Sequence, residues 1–399
     1  MHGFFEKQIE LWKLKVPLRL FASTLIIVCA KLLGSIIVYY SLNVGSLGTF
    51  WVGANAVPGL QNQVFQTITL TNVRWLDIFL GWDSAWYLSI LTKGYTFSMQ
   101  SYSFFPGLPL FSSLFNILFQ APVVSLVVCS LIFGILWVPI YQLVTELYVS
   151  KAAAFGSTLL FALSPYVFLF TTVAYSEGLL LLSVLLTWYL FKKGKVAYAS
   201  ASAAVAVLSR VVGILIILPM IIETLKSKKP HKMRNLLLCC LPIIAFLAWL
   251  SYGQLTANDW LALIHTTEWK EMYSFQELIF RILPQRGAQV FLELPSHHWL
   301  MTLAVWGSII IPPFFIAEMA KNFKAMAVYS LAYFTGALVF GAMISLPRFI
   351  SILFPLWITL MMRVKVNKKT LAGITAVLIA FFIFSLYLWV NFLNGFFIA

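Results

Sequence analysis

Asp83 is the side chain in this sequence best suited to chemistry. It lies in Trp82-Asp83-Ser84-Ala85-Trp86-Tyr87, followed by Lys93-Gly94-Tyr95 and then Phe104-Phe105-Pro106-Gly107-Leu108-Pro109. A carboxylate among aromatic rings, just ahead of a long apolar run, suits a general base or a ligand for sugar hydroxyls at a bilayer surface. It equally suits a helix N-cap for residues 84–92. Acids are scarce here, with 13 Asp plus Glu against 27 Lys plus Arg in 399 residues. Asp77, shortly upstream, either shares the site or is a solvated loop acid.

Other ionisable side chains fall within or beside apolar runs, where each one is costly. Glu177, in Tyr175-Ser176-Glu177, opens an apolar stretch. It serves there either as a first-turn acid that complements the helix dipole or as a partner for an arginine across a cavity. Arg210 follows a small-residue run, Ala199 to Ala206, that permits close helix packing. Arg348 stands in Leu346-Pro347-Arg348-Phe349. A guanidinium near the membrane surface either grips a lipid phosphate bidentately or snorkels to the headgroups. Lys31, inside the first apolar run, is expected to pair with an acid or to snorkel, and no role is assigned to it. The two prolines around Gly107 suit a rigid start to a helix.

The elements that must position these groups are membrane helices. Hydrophobic residues make up 61% of the chain and charged residues 10%, with a mean hydropathy of +0.92. Apolar runs of about 20 residues recur from residue 19 onwards, each long enough to span a hydrocarbon core of ~30 Å. The expected spans are 19–42, 104–120, 122–147, 152–172, 175–191, 196–222, 235–254, 299–319, 325–345, 347–362 and 370–393. The fold class is an all-α polytopic membrane protein, a single domain over 1–399 with about 11 transmembrane helices, between about 9 and 12. The first run follows basic residues but is long and has no small-residue cleavage site, so it is expected to stay as an uncleaved helix.

Charge distribution orients the bundle. The net charge of +14 resides in short clusters between apolar runs: Lys7–Arg19, Lys192–Lys195, Lys226–Arg234, Lys321–Lys324 and Arg363–Lys369. Such loops mark the cytoplasmic face and can touch anionic lipids, and no nucleic-acid partner is expected. The N-terminus is thereby cytoplasmic, and the two long connections, 43–103 and 255–298, are external. One conflict arises, because the clusters at 192–195 and 226–234 both look cytoplasmic with only 196–222 between them. Either the short Lys192–Lys195 loop is an exception to the charge rule, or 196–222 is two half-helices that meet near Arg210 and Gly213, as broken helices do where they line a cavity.

Other chemistries leave little trace. No P-loop, GxSxG, HExxH or GxGxxG motif is present. Cys29, Cys129, Cys239 and Cys240 lie in apolar runs without CxxC spacing and read as small buried hydrophobes. His297-His298 is a weak metal signal, since adjacent side chains usually point apart.

The first block resembles the first external loop of the PIG-V family. These mannosyltransferases add the second mannose of GPI anchors and belong to the GT-C class of polytopic glycosyltransferases. Tyr175-Ser176-Glu177, Ser209-Arg210-Val211-Val212-Gly213 and Leu346-Pro347-Arg348-Phe349 resemble later motifs of that family, in family order, from residue 82 to about 355. Ser84-Ala85-Trp86 and Val211-Val212 depart from its usual pattern, which leaves the acceptor open. The resemblance implies a GT-C-like bundle whose external loop 43–103 is catalytic. It implies a polyprenyl- or dolichyl-phosphate hexose donor, mannose first among hexoses, and a glycolipid or glycan acceptor. Asp83 becomes the base. Glu177, Arg210 and Arg348, with Trp82, Tyr87 and Lys93, become donor-binding residues. Phosphate leaves readily when arginines stabilise its charge, so no cofactor is required. A divalent ion held by Asp83, Asp77 and Glu177 is the alternative. The implied location is a plasma membrane for a prokaryotic chain or the endoplasmic reticulum for a eukaryotic one. Two rival readings are a lipid or solute transporter and a non-catalytic subunit of a glycan-assembly complex.

Overall fold

A computed structural model describes residues 8–11, 14–41, 74–227, 231–265, 299–340, 345–364 and 368–393. Residues 43–73 of the first expected external loop lie outside the described residues, as do 266–298 of the second, with His297 and His298 among them. A short antiparallel hairpin, β1 (Gln8–Leu11) and β2 (Leu14–Pro17), precedes an all-helical body.

The helices that build the body are α1 (Leu18–Ser41), α2 (Asp83–Lys93), α3 (Gly107–Phe119), α4 (Pro122–Thr145) and α5 (Lys151–Leu163). They continue with α6 (Pro165–Phe170), α7 (Glu177–Lys192), α8 (Val196–Ser209), α9 (Ile217–Lys226) and α10 (Leu241–Ala257). The C-terminal part contributes α11 (Trp299–Asn322), α12 (Lys324–Phe340), α13 (Leu346–Ser351), α14 (Phe354–Met362) and α15 (Lys368–Leu393). Among the described residues, five helical segments are long and apolar enough to cross a bilayer: Leu18–Ser41, Pro122–Thr145, Lys232–Ala257, Leu303–Asn322 and Thr370–Leu393. The protein is an integral membrane protein of the all-α polytopic kind.

Several expected spans are built in pieces. The stretch 152–172 divides at Ser164, where Pro165 cannot continue the ladder of α5 and instead starts α6. The stretch 347–362 divides into α13 and α14 around Leu353, with Pro355 at the start of the second piece. The stretch 196–222 breaks where the sequence placed the break. Arg210 is extended, with φ −159° and ψ 148°, and a 3₁₀ turn over Val211–Ile216 follows before α9.

That break reverses the chain. The Gly213 amide bonds the Arg210 carbonyl at 2.9 Å, and a Cβ on Gly213 would lie 2.2 Å from the Ala206 carbonyl oxygen. Only glycine lets the returning strand of chain lie this close to α8. The return ends beside the start: Lys192 Nζ at the end of α7 meets Glu223 Oε2 of α9 at 2.9 Å. The described ends of the two basic clusters, Lys192 at the end of α7 and Lys226 at the end of α9, therefore lie at one end of the bundle. The short Lys192–Lys195 loop needs no exception to the charge rule.

Two buried cations behave differently from each other. Arg19 of α1 makes a bidentate pair with Glu146, at 2.6 and 2.8 Å, just beyond the end of α4. Lys31, expected to pair with an acid or snorkel, does neither. It is buried, and its Nζ donates to Thr171 Oγ1 at 2.9 Å and Thr172 Oγ1 at 2.7 Å. Hydroxyls at the end of α6 thus replace the acid that the sequence suggested.

Candidate active site

Trp82 carries φ 44°, an uncommon backbone state for a bulky residue, and sets the sharp turn into α2. Asp83 is the first residue of that helix, and its side chain does not cap it. The turn is instead closed by Ser84, whose Oγ accepts the Gly81 amide at 3.1 Å. The Asp83 carboxylate is left for another task, and its Oδ2 accepts from Arg348 Nη2 at 3.0 Å.

Arg348 comes from α13, far along the chain. Its Nε donates to Glu177 Oε1 at 2.5 Å, and the same oxygen takes a short bond from Arg210 Nη1. Two carboxylates and two guanidiniums from four segments thus form one connected cluster, Asp83–Arg348–Glu177–Arg210. Its formal charge is balanced. Glu177 and Arg348 are buried, whereas the Asp83 side chain is 28% exposed and that of Arg210 is 21% exposed. The cluster has a closed side and an open side, and Asp83 and Arg210 occupy the open one. Glu177 Oε2 is buried without a hydrogen-bond partner.

Aromatic faces hold the guanidiniums in place. Arg348 sits 4.6 Å from the ring centres of Phe170 and of Tyr175. Phe349 flanks both arginines, at 5.3 Å from Arg210 and 5.7 Å from Arg348. Such stacking suits a delocalised, weakly hydrated cation and would not suit lysine equally.

Two chain segments are bonded together beneath the cluster. The Ala174 amide donates to the Phe79 carbonyl at 2.7 Å, and the Asp83 amide donates to the Tyr175 hydroxyl at 3.0 Å. Tyr87 then donates to Ser176 Oγ at 2.9 Å. Burial pushes the Tyr87 hydroxyl up to about 12; Arg210 opposes this, and Asp83 and Glu177 add to it. Tyr87 therefore stays neutral at physiological pH and serves as a fixed donor.

The Phe104–Pro109 block contributes through close packing. A Cβ on Gly107 would lie 2.7 Å from the Leu208 carbonyl oxygen and 3.0 Å from the Ser209 nitrogen, next to Arg210. Gly107→Ala must push the end of α8 aside. The expected cost is about 1–3 kcal/mol, measurable as a lower unfolding midpoint in detergent, with an unchanged midpoint contradicting the packing.

The sequence-derived candidates separate clearly in space. Asp83, Glu177, Arg210 and Arg348 are in direct contact, with Tyr87 and Trp82 beside them. Lys93 is not brought in: it ends α2, exposed, with its Nζ 6.0 Å from the Phe97 ring centre. Asp77 lies in a short helical turn, Arg74–Asp77, and is half-buried. Among the described residues no three of His, Cys, Asp and Glu converge as a metal-ligand set. Tyr175, Phe170 and Phe349 were not singled out by sequence, although Tyr175 belongs to the Tyr-Ser-Glu triplet and Phe349 to the Leu-Pro-Arg-Phe motif that were.

No family model matches the chain, and no curated protein matches it by sequence. Among solved structures, it is similar to the Archaeoglobus fulgidus oligosaccharyltransferase in its apo form. That match is 12% identical and covers 92% of this chain and 56% of the other, at a TM-score of 0.47. The archaeal oligosaccharyltransferase AglB from the same organism, in complex with an inhibitory peptide and a dolichol-phosphate, matches at 14% identity. Its coverages are 92% and 56%, and its TM-score is 0.47. ArnT from Cupriavidus metallidurans in the apo state matches at 13% identity, covering 73% of this chain and 56% of that one, with a TM-score of 0.47. The chain spans about half the length of these structures. Likeness at this level leaves the function to be argued from the charged cluster itself.

Proposed function

We propose that this protein is a membrane glycosyltransferase of the GT-C class that moves a hexose, mannose first among them, from a polyprenyl- or dolichyl-phosphate donor. The acceptor is a glycolipid or glycan, and transfer takes place on the external face with inversion. The observation that carries this reading is the Asp83–Arg348–Glu177–Arg210 cluster. Four residues from motifs resembling those of one enzyme family, 265 positions apart at the extremes, meet within hydrogen-bond reach.

The chemistry follows from the cluster's asymmetry. Arg348 holds Asp83 Oδ2, and Oδ1 stays available on the open side for an acceptor hydroxyl. The hydroxyl proton passes to Asp83 as the acceptor oxygen bonds the anomeric carbon. The bond from that carbon to the donor phosphate oxygen breaks, and the lipid phosphate departs with the electron pair and one added negative charge. Arg210, the more exposed guanidinium, turns from Glu177 towards that phosphate, and Glu177 remains on Arg348. Donors already fixed in a low-dielectric site stabilise such charge far better than water does. A single displacement inverts the anomeric centre. The two long connections, 43–103 and 255–298, lie on the external face in this reading, with the N-terminus and the basic loops in the cytoplasm.

The test is transfer by the purified protein in liposomes. Radiolabelled polyprenyl-phosphate mannose is supplied with a panel of glycolipid and glycan acceptors, and unlabelled polyprenyl phosphate serves as competitor. Label in an acceptor, suppressed by the competitor, is expected. Label confined to the donor with every acceptor, together with no binding of the donor, would overturn the reading.

A further inference from the structure

Lys31 is a buried charge that the proposed chemistry does not use and that, unlike Arg19, has no carboxylate partner among the described residues. It lies within α1, one of the five long apolar helices, and is 4% exposed. Among the described residues no carboxylate lies within ion-pair distance of it. A lone ammonium in a membrane interior is expensive, so its surroundings must repay it. They do so through the end of α6. Its three N–H groups have three acceptors: Thr172 Oγ1 at 2.7 Å, Thr171 Oγ1 at 2.9 Å and the Phe168 carbonyl at 3.4 Å. Each threonine hydroxyl passes its own proton back into α6, Thr171 to the Val167 carbonyl and Thr172 to the Phe168 carbonyl. The last carbonyls of a helix carry partial negative charge, and the Phe168 ring face, 5.3 Å from Nζ, adds to it.

The residues so gripped lead directly into the active site. Thr171 and Thr172 begin the connection from α6 to α7, which continues through Val173 and Ala174 to Tyr175, Ser176 and Glu177. Ala174 holds Phe79, Tyr175 holds the Asp83 amide and lies against Arg348, and Glu177 joins the two arginines. Phe170, the last residue of α6, also lies against Arg348. Among the described residues, Lys31 is the charged side chain of α1 that bonds this connection.

We infer that Lys31 is a positioning residue: by its bonds to Thr171, Thr172 and the Phe168 carbonyl it fixes the α6–α7 connection and, through that connection, the placement of Tyr175 and Glu177 against Asp83 and Arg348. The effect on rate rests on the function proposed above, whereas the effect on local order does not.

The test uses the full-length protein and two variants. Lys31→Met keeps the length of the side chain without its charge, and the Thr171→Val/Thr172→Val pair keeps shape while removing two acceptors. Thr24→Val, elsewhere on α1 with its hydroxyl bonded to the Leu20 carbonyl, is the control. Amide hydrogen exchange is expected to accelerate over residues 171–177 and 79–83 in both test variants and to stay at the wild-type rate in the control. In the transfer assay kcat should fall on the order of tenfold to a hundredfold with donor KM within about twofold, as misplacement of reacting groups produces. Lys31→Arg should restore part of the rate. Exchange unchanged over 171–177 in Lys31→Met or in the threonine pair, or acceleration spread equally over all helices, would overturn the inference. If the wild type transfers no sugar while exchange still rises locally, the functional proposal falls and the positioning role stands.

Discussion

Asp83→Asn is expected to lower the transfer rate by ~10³-fold, within the range a positioned proton acceptor supplies, and to leave the fold intact. The amide is nearly isosteric, and its oxygen can still accept from Arg348. The Asp83 side chain is 28% exposed and Arg348 keeps its bond to Glu177, so weakening this pair costs less than breaking a fully buried one. What the variant loses is the ability to take a proton. A normal unfolding midpoint with transfer near background is the outcome that separates a chemical role from a structural one. Full activity in this variant would remove the catalytic assignment. A transporter or a non-catalytic subunit would keep its function in the same variant, since neither needs a base at this position.

Glu177→Ala should act in the opposite manner, through stability first. Glu177 Oε1 is the shared acceptor of Arg210 and Arg348, and the residue is fully buried. Truncation leaves the buried Arg348 guanidinium with Asp83 alone, on the closed side of the cluster. Removing one partner of a buried pair costs about 3–5 kcal/mol, because the remaining charge stays uncompensated. The variant is expected to show a markedly lower unfolding midpoint and no transfer. Glu177→Gln keeps one acceptor oxygen and should fall between the two. A midpoint unchanged in Glu177→Ala would mean that the buried arginines do not depend on this carboxylate.

Much of this arrangement was legible because charges are so sparse. In a chain with 13 acids, each carboxylate near an apolar run stands out, and Asp83, Glu177, Arg210 and Arg348 are all conspicuous on that ground. The reversal at Arg210 was legible too, from two basic clusters that both required the same face. Aromatic partners were not legible, since Phe, Trp and Tyr form 16% of the sequence and every interface is rich in them. Nothing in composition distinguishes Phe170, Tyr175 and Phe349 from the rest, because their role comes from packing against guanidiniums.

Lys93 illustrates the reverse problem. It follows Asp83 closely in sequence and belongs to the same motif block, but the intervening helix α2 carries it about 15 Å away at 1.5 Å per residue. Lys31 was hard to read for a third reason. Its partners are two threonines among many hydroxyls, and the carbonyl it meets belongs to the backbone. The division of 152–172 was visible as Pro165, which a hydropathy window passes over because proline does not interrupt an apolar run.

The central claim is that the four-residue cluster carries a single displacement of lipid phosphate from a sugar. The stereochemical outcome tests it most directly. The purified protein in liposomes is given a polyprenyl-phosphate hexose of known anomeric configuration, and the new linkage is determined by NMR of the product. Inversion at the anomeric carbon is predicted, with lipid phosphate released in equal amount. Retention of configuration, or a product formed without release of lipid phosphate, would contradict the account.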